Sequence, residues 1–405
     1  MKPRILFLTT ELPWPTDGGG KLRTAETLAC LLHFAEVRVL SVSEASDASA
    51  DARALQRALP GLGVEPPIPH PVRIRRRPLF LVRTAAVQLL RREPYLTAKF
   101  ASATYQRRAR SLVASFAPDL IWCDHLNVFP AARRVAREAG LPLVLDQHNV
   151  ESDLFVRAAG AGRLAPLARW EGARLRRYEV AALCAADAVV AISGEDAARF
   201  AEMSGREAVT ILPSMGELGE APAPPPPSHR VAFLGTLSWP PNAEGVDWLA
   251  REVAQRAPEL RFVVGGRGLA PAIARRAREA GIELAGWVED PAAFFRAAGT
   301  AVVPLRSGSG IAMKLLDAMR AGVPVVSTPS GARGLPVRHE RELLIAEDAH
   351  SMAEALRRLA ADEDLRRRLV AGAWAYLQAH HARPALASRY REVVESARRR
   401  VQGRR

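Results

Sequence analysis

Short runs of apolar residues alternate with longer amphipathic segments along most of the chain. In the first half the short runs are RILFLTT, VRVLSV, DLIWCD, LPLVLDQH, AVVAIS and VTILP, and they have the length and aliphatic content of buried strands. The segments between them, such as GKLRTAETLACLLHF and FPAARRVAREAG, repeat apolar residues at helical spacing. Strands that alternate with helices are typical of a parallel sheet covered on both faces, so the pattern predicts the α/β class.

A proline-rich stretch, GELGEAPAPPPPSHR, interrupts this alternation near the middle of the chain. Consecutive prolines form a stiff connector and cannot continue a helix or a central strand. The alternation then restarts with RVAFLGTL, LRFVVGG, IELAGW, TAVVPL and VPVVST as strands. We therefore predict two Rossmann-like domains, residues 1–221 and 230–384, joined by a linker at 222–229 and facing each other across a cleft. A final helix, 385–405, is predicted to pack back on the first domain.

The composition is typical of a globular protein in a reducing compartment. The chain has 405 residues, of which 48% are hydrophobic and 25% charged, and this is long enough for two domains. Cys30, Cys123 and Cys184 have no metal-type or redox-type spacing, which fits packing roles. The N-terminal apolar run is too short for a signal peptide, and no apolar stretch reaches the roughly 18 residues of a membrane span. We expect a cytoplasmic protein.

The formal net charge of +14 is uneven, and one dense series of arginines lies at residues 73–110. It includes Arg75, Arg76 and Arg77, and Leu, Val and Phe lie among the basic residues. An anionic membrane surface suits this mixture, because each basic residue near such a surface adds about 1 kcal/mol of attraction. Nucleic acid has less support, since no nucleic-acid motif is recognisable, and we predict no nucleic-acid partner. A merely solvated basic face is the third interpretation, and the sequence leaves it open.

Polar residues follow several strands of the first domain, where open α/β sheets bind their ligands. Gly18, Gly19 and Gly20 form a turn into a helix whose free N–H groups favour anions, although a plain glycine turn explains them as well. His148, in LPLVLDQHNVES, ends a buried strand and is a candidate for hydrogen bonding or proton transfer near neutral pH. His125, in IWCDHLN, ends the neighbouring strand in the same way, with a structural role equally open.

Two loops of the second domain have candidate ligand contacts. The turn that contains Ser238 in FLGTLSWPPNAEG opens the domain, and Asn242 is predicted to cap the helix that follows. In GWVEDPAAFF, Trp287 and Val288 come directly after a strand. A planar base could stack there or bond to the backbone, with ordinary packing of the tryptophan as the alternative.

The segment GSGIAMKLLDAM combines a glycine turn with the start of a helix. The amides of Gly310, Ile311, Ala312 and Met313 are predicted to be unpaired at that start, an arrangement suited to phosphate. Lys314 adds a positive charge beside them, and Asp317 can accept hydrogen bonds from vicinal hydroxyls. These features favour a nucleotide diphosphate as the ligand.

The order of these motifs resembles the glycosyltransferases of family 4, which have the GT-B fold. The motifs are the GGG turn, QHN, FLGTLSW, GWVED and PLRSGSGIAMKLLDAMRAGVPVVSTPSGARGL, and the resemblance covers nearly the whole chain. In that family two glutamates, separated by seven residues, flank the phosphate-binding helix start. The second holds the donor ribose and corresponds to Asp317, whereas the first contacts the donor sugar and corresponds to Ser309.

The resemblance also implies roles for other residues. The family often has Arg and Lys in the first loop of the second domain, where this chain has Thr236 and Ser238, so Lys314 and Arg306 are expected to supply the positive charge. His148 corresponds to a histidine near the transferred sugar. The family neutralises the leaving diphosphate with helix dipoles and basic side chains, so we expect no metal ion and no cofactor.

We therefore predict a retaining, metal-independent glycosyltransferase that moves a sugar from a nucleoside-diphosphate donor to a hydroxyl, with a lipid-linked or cell-surface glycan precursor as acceptor. A non-catalytic nucleotide-sugar-binding subunit and an epimerase or hydrolase are the alternatives. His148 is the predicted catalytic residue, and Arg75, Arg76, Arg77 and His125 are placed on the acceptor or membrane side. The enzyme could act at the inner face of the cell membrane. The predicted donor-binding residues are Gly19, Gly20, Ser238, Trp287, Val288, Ser309, Gly310, Ile311, Ala312, Met313, Lys314 and Asp317.

Overall fold

The computed structural model describes residues 2–44, 48–71, 78–159, 165–308 and 310–404. The chain divides into two compact units, of which unit 1 comprises residues 1–216 with 383–405 and unit 2 comprises residues 217–382. The strands of unit 1 are β1 (Arg4–Leu8), β2 (Glu36–Leu40), β3 (Val42–Ser43), β4 (Gly63–Val64), β5 (Ile68–Pro69), β6 (Leu120–Asp124), β7 (Leu143–Gln147), β8 (Ala188–Ala191) and β9 (Val209–Thr210). Its helices before residue 217 are α1 (Gly19–Leu32), α2 (Ser49–Ala58), α3 (Pro78–Arg91), α4 (Tyr95–Ala98), α5 (Ala103–Phe116), α6 (Phe129–Ala139), α7 (Glu151–Ala159), α8 (Ala165–Ala185) and α9 (Gly194–Ser204).

Unit 1 is built on a parallel sheet with the strand order β4-β2-β1-β6-β7-β8-β9. The central strands β6 and β7 are buried along their whole length, because helices cover both faces of the sheet. The two strands pair in register, and their last paired residues are Asp124 and Asp146. The carboxyl edge of this sheet therefore holds two acidic side chains next to each other. The short strands β3 and β5 form a separate parallel pair.

Unit 2 repeats the arrangement with a parallel sheet of order β12-β11-β10-β13-β14-β15. A π-helical turn at Leu249–Val253 joins two of its helices into one continuous helical segment. The prediction of an α/β chain with two Rossmann-like sheets is confirmed. The elements are β10 (Arg230–Leu234), α10 (Pro240–Trp248), α11 (Ala254–Arg256), β11 (Arg261–Gly265), α12 (Pro271–Glu279), β12 (Glu283–Gly286), α13 (Pro291–Ala298), β13 (Gly299–Val303), α14 (Met313–Arg320), β14 (Val325–Ser327), β15 (Leu344–Ile345), α15 (Ala349–Ala361) and α16 (Glu363–His380).

The proline-rich stretch belongs to unit 2, in contrast to a linker at 222–229 that would stand apart from both domains. The buried guanidinium of Arg366 donates to the carbonyl oxygens of Pro225 at 2.7 Å and Pro226 at 3.1 Å. A Cβ added to Gly322 would lie 2.6 Å from Cγ of Pro222, so the absence of a side chain there allows close packing. The prolines are held by these contacts, which hydrophobic patterning does not encode.

The last helix, α17 (Arg383–Gln402), is part of unit 1 although it follows unit 2 in the chain. It packs against α1, β7 and β8, and Tyr390 is in edge contact with Trp122 of β6 at 5.6 Å between ring centroids. The Tyr390 hydroxyl and Thr27 Oγ1 are 2.9 Å apart and hydrogen-bonded. None of the helices in the described ranges has the length and hydropathy needed to cross a membrane.

Candidate functional site

Asp124 is the centre of a buried hydrogen-bond network at the carboxyl edge of the unit 1 sheet. Its Oδ2 accepts from Thr9 Oγ1 at 2.7 Å and Thr24 Oγ1 at 2.9 Å. The same oxygen faces His125 Nδ1 at 2.9 Å, and Oδ1 faces His148 Nε2 at 2.9 Å. These groups come from the ends of β1, β6 and β7 and from α1, because parallel strands bring their carboxyl ends to one edge. The fold thus ties both candidate histidines to one carboxylate.

The network has a definite charge pattern. Burial alone would raise the pKa of the Asp124 carboxyl, but the charges and hydrogen bonds of His125 and His148 outweigh it and hold that pKa well below its ordinary value. Burial opposes a charge on His125 too, yet the Asp124 carboxylate raises the pKa of His125 to about 9. Burial and the positive charge of His125 lower the pKa of His148. At neutral pH the network is therefore an anionic Asp124, a cationic His125 and a neutral His148.

The tautomer of His148 follows from this pattern. Its Nε2 faces a carboxylate oxygen that only accepts, so the single proton of the neutral ring lies on Nε2. Nδ1 then carries the free lone pair. His125 lies against the same ring, with 3.9 Å between the ring centroids, and its φ of 76° is unusual for a residue other than glycine. A backbone conformation of this kind costs on the order of 1 kcal/mol and is kept by the bonds around it.

The same three residues have a spacing that a metal ion could use. The candidate ligand atoms of Asp124, His125 and His148 lie within 4.8 Å of one another. They also satisfy one another directly, as hydrogen-bonded pairs of a carboxylate and ring nitrogens, so the arrangement has an explanation without an ion. The expectation of no metal ion stays a prediction.

Asp146 lies beside Asp124 and is fully buried. Neither of its carboxylate oxygens has a hydrogen-bond partner among the described residues. Burial raises the pKa of the Asp146 carboxyl, and the positive charge of Arg23 offsets part of that rise. Arg23 itself donates to the carbonyl oxygens of Ile211 and Leu212. Asp124 and Asp146 have no place among the predicted site residues, although an acidic residue at the end of each of two neighbouring strands was a usable signal.

The loop that contains His148 is anchored from α8 by Glu179. The buried Glu179 carboxylate accepts from the amides of Glu151 at 2.8 Å and Ser152 at 3.1 Å, and from Ser152 Oγ at 2.6 Å. It therefore caps the first turn of α7, which begins directly after the QHN motif. Burial outweighs these hydrogen bonds and raises the pKa of Glu179 to about 6. The His148 ring is consequently fixed by its hydrogen bond to Asp124, and the backbone that follows His148 is fixed by Glu179.

In unit 2, Lys314 and Asn242 form a polar pair at the carboxyl end of β10. Lys314 Nζ donates to Asn242 Oδ1 at 2.9 Å, and Asn242 Nδ2 donates to the Thr236 carbonyl at 2.8 Å. Gly235 makes room for both, since an added Cβ would lie 2.8 Å from Asn242 Nδ2 and 3.2 Å from Lys314 Cε. Asn242 is not the cap that we predicted. It lies inside α10 and is buried, and Trp239 occupies the N-cap position.

Helix α14 begins at Met313, so Gly310, Ile311 and Ala312 precede it. We predicted the free amides at 310–313, but the first turn of the observed helix starts at Met313 and includes Lys314. Gly310 has a φ of 82°, a left-handed conformation that glycine adopts without strain. No side chain among the described residues caps α14, whereas Asp290, Asp348 and Asp362 cap α13, α15 and α16. Ser309 lies outside the described residues.

Asp317 lies one turn into α14, next to Lys314. Burial raises the pKa of the Asp317 carboxyl to about 6, and the nearby charges of Arg320 and Lys314 only partly oppose this. Burial lowers the pKa of Lys314 in turn. No hydrogen-bond donor among the described residues meets the Asp317 carboxylate. A half-buried acceptor without a partner is open to a ligand, because leaving it unpaired costs free energy.

The loops after β10, β11 and β12 lie against one another in unit 2. An added Cβ at Gly268 would lie 2.8 Å from Ser238 Cβ, and one at Gly265 would lie 2.6 Å from Val288 Cγ2. Trp287 is 66% exposed, and the Arg267 guanidinium stacks over its ring at 5.2 Å. The structure therefore contradicts the packing alternative for Trp287 and brings Ser238 and Val288 close to the same strand ends.

The remaining predicted site residues belong to unit 1 or lie outside the described residues. Gly19 and Gly20 begin α1 in unit 1, apart in the chain from the donor candidates of unit 2. His125 is part of the Asp124 network, and its predicted place on the acceptor or membrane side stays a prediction. Arg75, Arg76 and Arg77 lie outside the described residues.

Two family models match the chain. Residues 18–214 match the glycosyl transferase 4-like domain, and residues 228–362 match the glycosyl transferases group 1. Together the matched ranges cover more than four fifths of the chain. A curated relative is 26% identical over 131 residues, which is 29% of this chain and 34% of the relative, and it is called the uncharacterized 44.6 kDa protein in the cps region of Klebsiella pneumoniae. The match to that relative thus spans about a third of its length.

Solved structures with this architecture include two whose chains are covered almost completely. Anabaena Alr3699/HepE in complex with UDP and glucose has a TM-score of 0.62 at 14% identity, with 97% of this chain and 99% of that one covered. Sucrose-phosphate synthase from Thermosynechococcus elongatus has a TM-score of 0.65 at 18% identity, with 97% and 98% covered. At these identities the likeness establishes the shared fold.

Proposed function

The chain belongs to the group 1 glycosyl transferases and has the GT-B fold, and from this premise we propose that it is a retaining, metal-independent enzyme that transfers a sugar from a nucleoside-diphosphate sugar to a glycan hydroxyl. The proposed acceptor is a lipid-linked or cell-surface glycan precursor. Support for the donor class comes from the family and from Alr3699/HepE, whose structure contains UDP and glucose.

We assign the donor nucleotide to unit 2. Trp287 and Val288 would contact the base, and Asp317 would accept hydrogen bonds from the ribose hydroxyls. The diphosphate would lie against the start of α14, between its free amides and Lys314, because the free N–H groups of a helix start bind anions. Ser238 would be near the diphosphate. Gly19 and Gly20, in unit 1, would border both substrates.

The single observation that carries this assignment is the pairing of Lys314 and Asp317 on one helix. The amine and the carboxylate are both half-buried, one turn apart, at a helix start that no described side chain caps. A diphosphate needs cationic and N–H groups, and a ribose needs an acceptor within a few ångströms of them. One turn of α14 presents both kinds of group.

The proposed chemistry uses fixed charge and dipoles. As the bond between the sugar and the diphosphate breaks, negative charge grows on the phosphate oxygens, and Lys314 with the α14 amides would stabilise that state more than the ground state. The neutral ring of His148 would contact the transferred sugar through its free Nδ1. This contact orients the sugar, and Asp124 keeps the proton of His148 on the opposite nitrogen.

Asp317→Ala is expected to weaken binding of the cognate nucleoside diphosphate by about 1–3 kcal/mol, since the ribose loses a charge-assisted acceptor. Because the pKa of Asp317 is about 6, the carboxylate contribution should be present above that pH and disappear as the pH falls through it. Calorimetry between pH 5 and 8 measures the difference in binding free energy between the parent and the variant at each pH. Titration of the nucleotide affects both proteins equally and cancels in this difference.

The matched control for Asp317→Ala is Asp364→Ala, an exposed carboxylate on α16 of the same unit. It should leave nucleotide binding unchanged. Thermal-shift screening of several nucleoside diphosphates identifies the cognate base beforehand, because a ligand of the folded state raises the melting temperature. Equal binding by the Asp317 variant and the parent would contradict the assignment. Sugar release from the donor at the full rate without any acceptor would favour a hydrolase.

We also propose a peripheral contact with an anionic membrane, through the outer side of α3. Val82, Leu89 and Leu90 are 68%, 81% and 83% exposed there, and the exposed Arg92 directly follows α3 in the chain. Exposed apolar and basic side chains together suit a lipid surface of opposite charge. This would bring the enzyme to the inner face of the cell membrane.

Flotation with vesicles tests the membrane contact. The protein should rise with vesicles that contain anionic lipid and stay behind with neutral ones, and a Leu89→Glu, Leu90→Glu double variant should lose the binding. Val209→Glu changes an exposed apolar residue on β9 of the same unit and should have no effect. If the parent protein binds neither kind of vesicle, the proposed contact is wrong.

A further inference from the structure

Unit 1 contains a polar cavity of about 200 Å³ that neither the donor site nor the Asp124 network uses. Helices α3, α4, α5 and α6 form its walls, together with the short turn that follows His125. A volume of this size is below the range of a whole nucleotide sugar and matches a single sugar residue. The polar side chains of the lining include Arg83, Glu93, Ser102, Gln106, Asn127 and Arg134.

Two amide side chains of the cavity have hydrogen-bonding capacity that the described residues leave unused. Gln106 Nε2 is buried and has no partner among them, while Gln106 Oε1 accepts from Arg134 Nη1 at 3.1 Å. Asn127 also lines the cavity; its amide is only partly buried and makes no hydrogen bond within the described part of the chain. Buried N–H groups without a partner are rare in folded proteins, because each costs about 1–3 kcal/mol. Hydroxyl groups of a ligand would satisfy both amides.

The charged groups of the cavity favour an anion. Arg83 and Arg134 both line it and are held in place, since Arg83 Nη2 donates to the Ala101 carbonyl at 2.8 Å and Arg134 is bonded to Gln106. Glu93 is the acidic residue of the lining, so cationic groups outnumber it. Guanidinium groups bind carboxylate and phosphate through paired N–H donors. The lining thus combines amides for hydroxyls with guanidinium groups for an acid.

The cavity adjoins the Asp124 network through two connections. Asn127 is two residues after His125, which shares the Asp124 carboxylate with His148. Tyr105, another lining residue, donates its hydroxyl to the Thr9 carbonyl at 3.2 Å, and the Thr9 side chain binds Asp124. The lining is thus linked to the Asp124 network by the chain at Asn127 and by the hydrogen bonds of Tyr105 and Thr9.

We propose that this cavity is the acceptor subsite and that it binds one sugar residue with an acidic group, a carboxylate or a phosphate. The inference rests on the proposed function, because it takes the enzyme's second substrate to lie in unit 1. Gln106 and Asn127 hold the hydroxyls of that sugar, and Arg83 and Arg134 hold its acid. Specificity for an anionic acceptor thus comes from α3, α5 and α6.

Calorimetry with simple probes tests the subsite in the full chain. Glucuronic acid, glucose 1-phosphate, glucose and inorganic phosphate are titrated into protein already saturated with its nucleoside diphosphate, so that the donor site is blocked. We expect saturable one-to-one binding of at least one of the two acidic sugars, tighter than that of glucose or of phosphate alone. Arg134→Gln and Gln106→Leu should each weaken it by about tenfold or more, which corresponds to about 1.4 kcal/mol.

Arg137→Gln is the matched control, because it removes the same charge from an exposed position on α6 outside the cavity. It should bind the sugar like the parent. The proposal would be overturned if neither acidic sugar binds. It would also be overturned if the Arg134 and Gln106 variants bind the acidic sugar as tightly as the parent protein does. Phosphate that binds as tightly as glucose 1-phosphate would reduce the site to an anion site and also overturn it. Nucleoside diphosphate binding is measured separately in the parent and in every variant. If the parent protein binds no nucleoside diphosphate, the proposed function is contradicted rather than the subsite.

Discussion

Asp124→Asn is expected to lower the rate of sugar transfer by about 10²-fold or more while nucleotide binding stays unchanged. Oδ2 of Asp124 meets three donors, so the amide oxygen of an asparagine would take that side and its NH₂ group would face His148. His148 Nε2 would then have to accept, and its proton would move to Nδ1. The nitrogen directed away from Asp124 would become a donor instead of an acceptor.

A double-mutant cycle separates this effect from a loss of stability. In a His148→Ala background, where there is no ring left to orient, Asp124→Asn should reduce the rate only slightly further. His148→Ala alone should spare nucleotide binding and depress turnover. If the two changes multiply as independent effects, Asp124 does not act through His148. If His148→Ala leaves turnover intact, the assignment of His148 is wrong.

Arg366→Ala is expected to lower the free energy of unfolding of unit 2 by about 3–5 kcal/mol. The Arg366 side chain is fully buried, and its guanidinium donates to the carbonyls of Pro225, Pro226, Gly299 and Leu359 and to Thr300 Oγ1. The variant would leave these acceptors without their partner and open a cavity. A loss of this size is a large fraction of the stability of an ordinary domain.

Denaturant unfolding and limited proteolysis measure the result. The residues at 217–229 should be cleaved faster in the variant, because the carbonyls that Arg366 holds are in this segment. Arg367→Ala is the matched control, since Arg367 is the next residue of α16 and its ion pairs with Glu363 and Asp364 are exposed. Exposed pairs add little stability, so this variant should resemble the parent. Identical unfolding of the two variants would contradict the structural role of Arg366.

Local patterning was sufficient to predict the class of fold. Apolar runs such as LPLVLDQH and TAVVPL are short, and the helical periods between them are long, so the βα alternation is visible without any contact information. The same patterning identified the helix start near Gly310 and the polar residues after β7. It placed the free amides at 310–313, although α14 begins only at Met313, because helix ends are not fixed by local patterning to within a residue or two.

The candidate site was predictable only as far as individual residues. His148, Lys314 and Asp317 stand in recognisable motifs, but a motif does not show which distant groups its side chains contact. Asp124 is 24 residues from His148 in the chain, and Asn242 is 72 residues from Lys314. Asn242 was predicted as a helix cap because caps are local signals, whereas its bond to Lys314 depends on a tertiary contact between α10 and α14.

By itself, then, the sequence determined the alternation of strands and helices, the two Rossmann-like sheets and the kinds of polar residue at the strand ends. These depend on periodicity and on residue type, which are properties of neighbours along the chain. The tertiary structure alone decided that one buried carboxylate orients two histidines, that Tyr390 of the last helix contacts Trp122 and Thr27, and that Arg366 holds the prolines. Those facts depend on groups that only folding brings together, where burial removes water and makes each hydrogen bond and charge count for more.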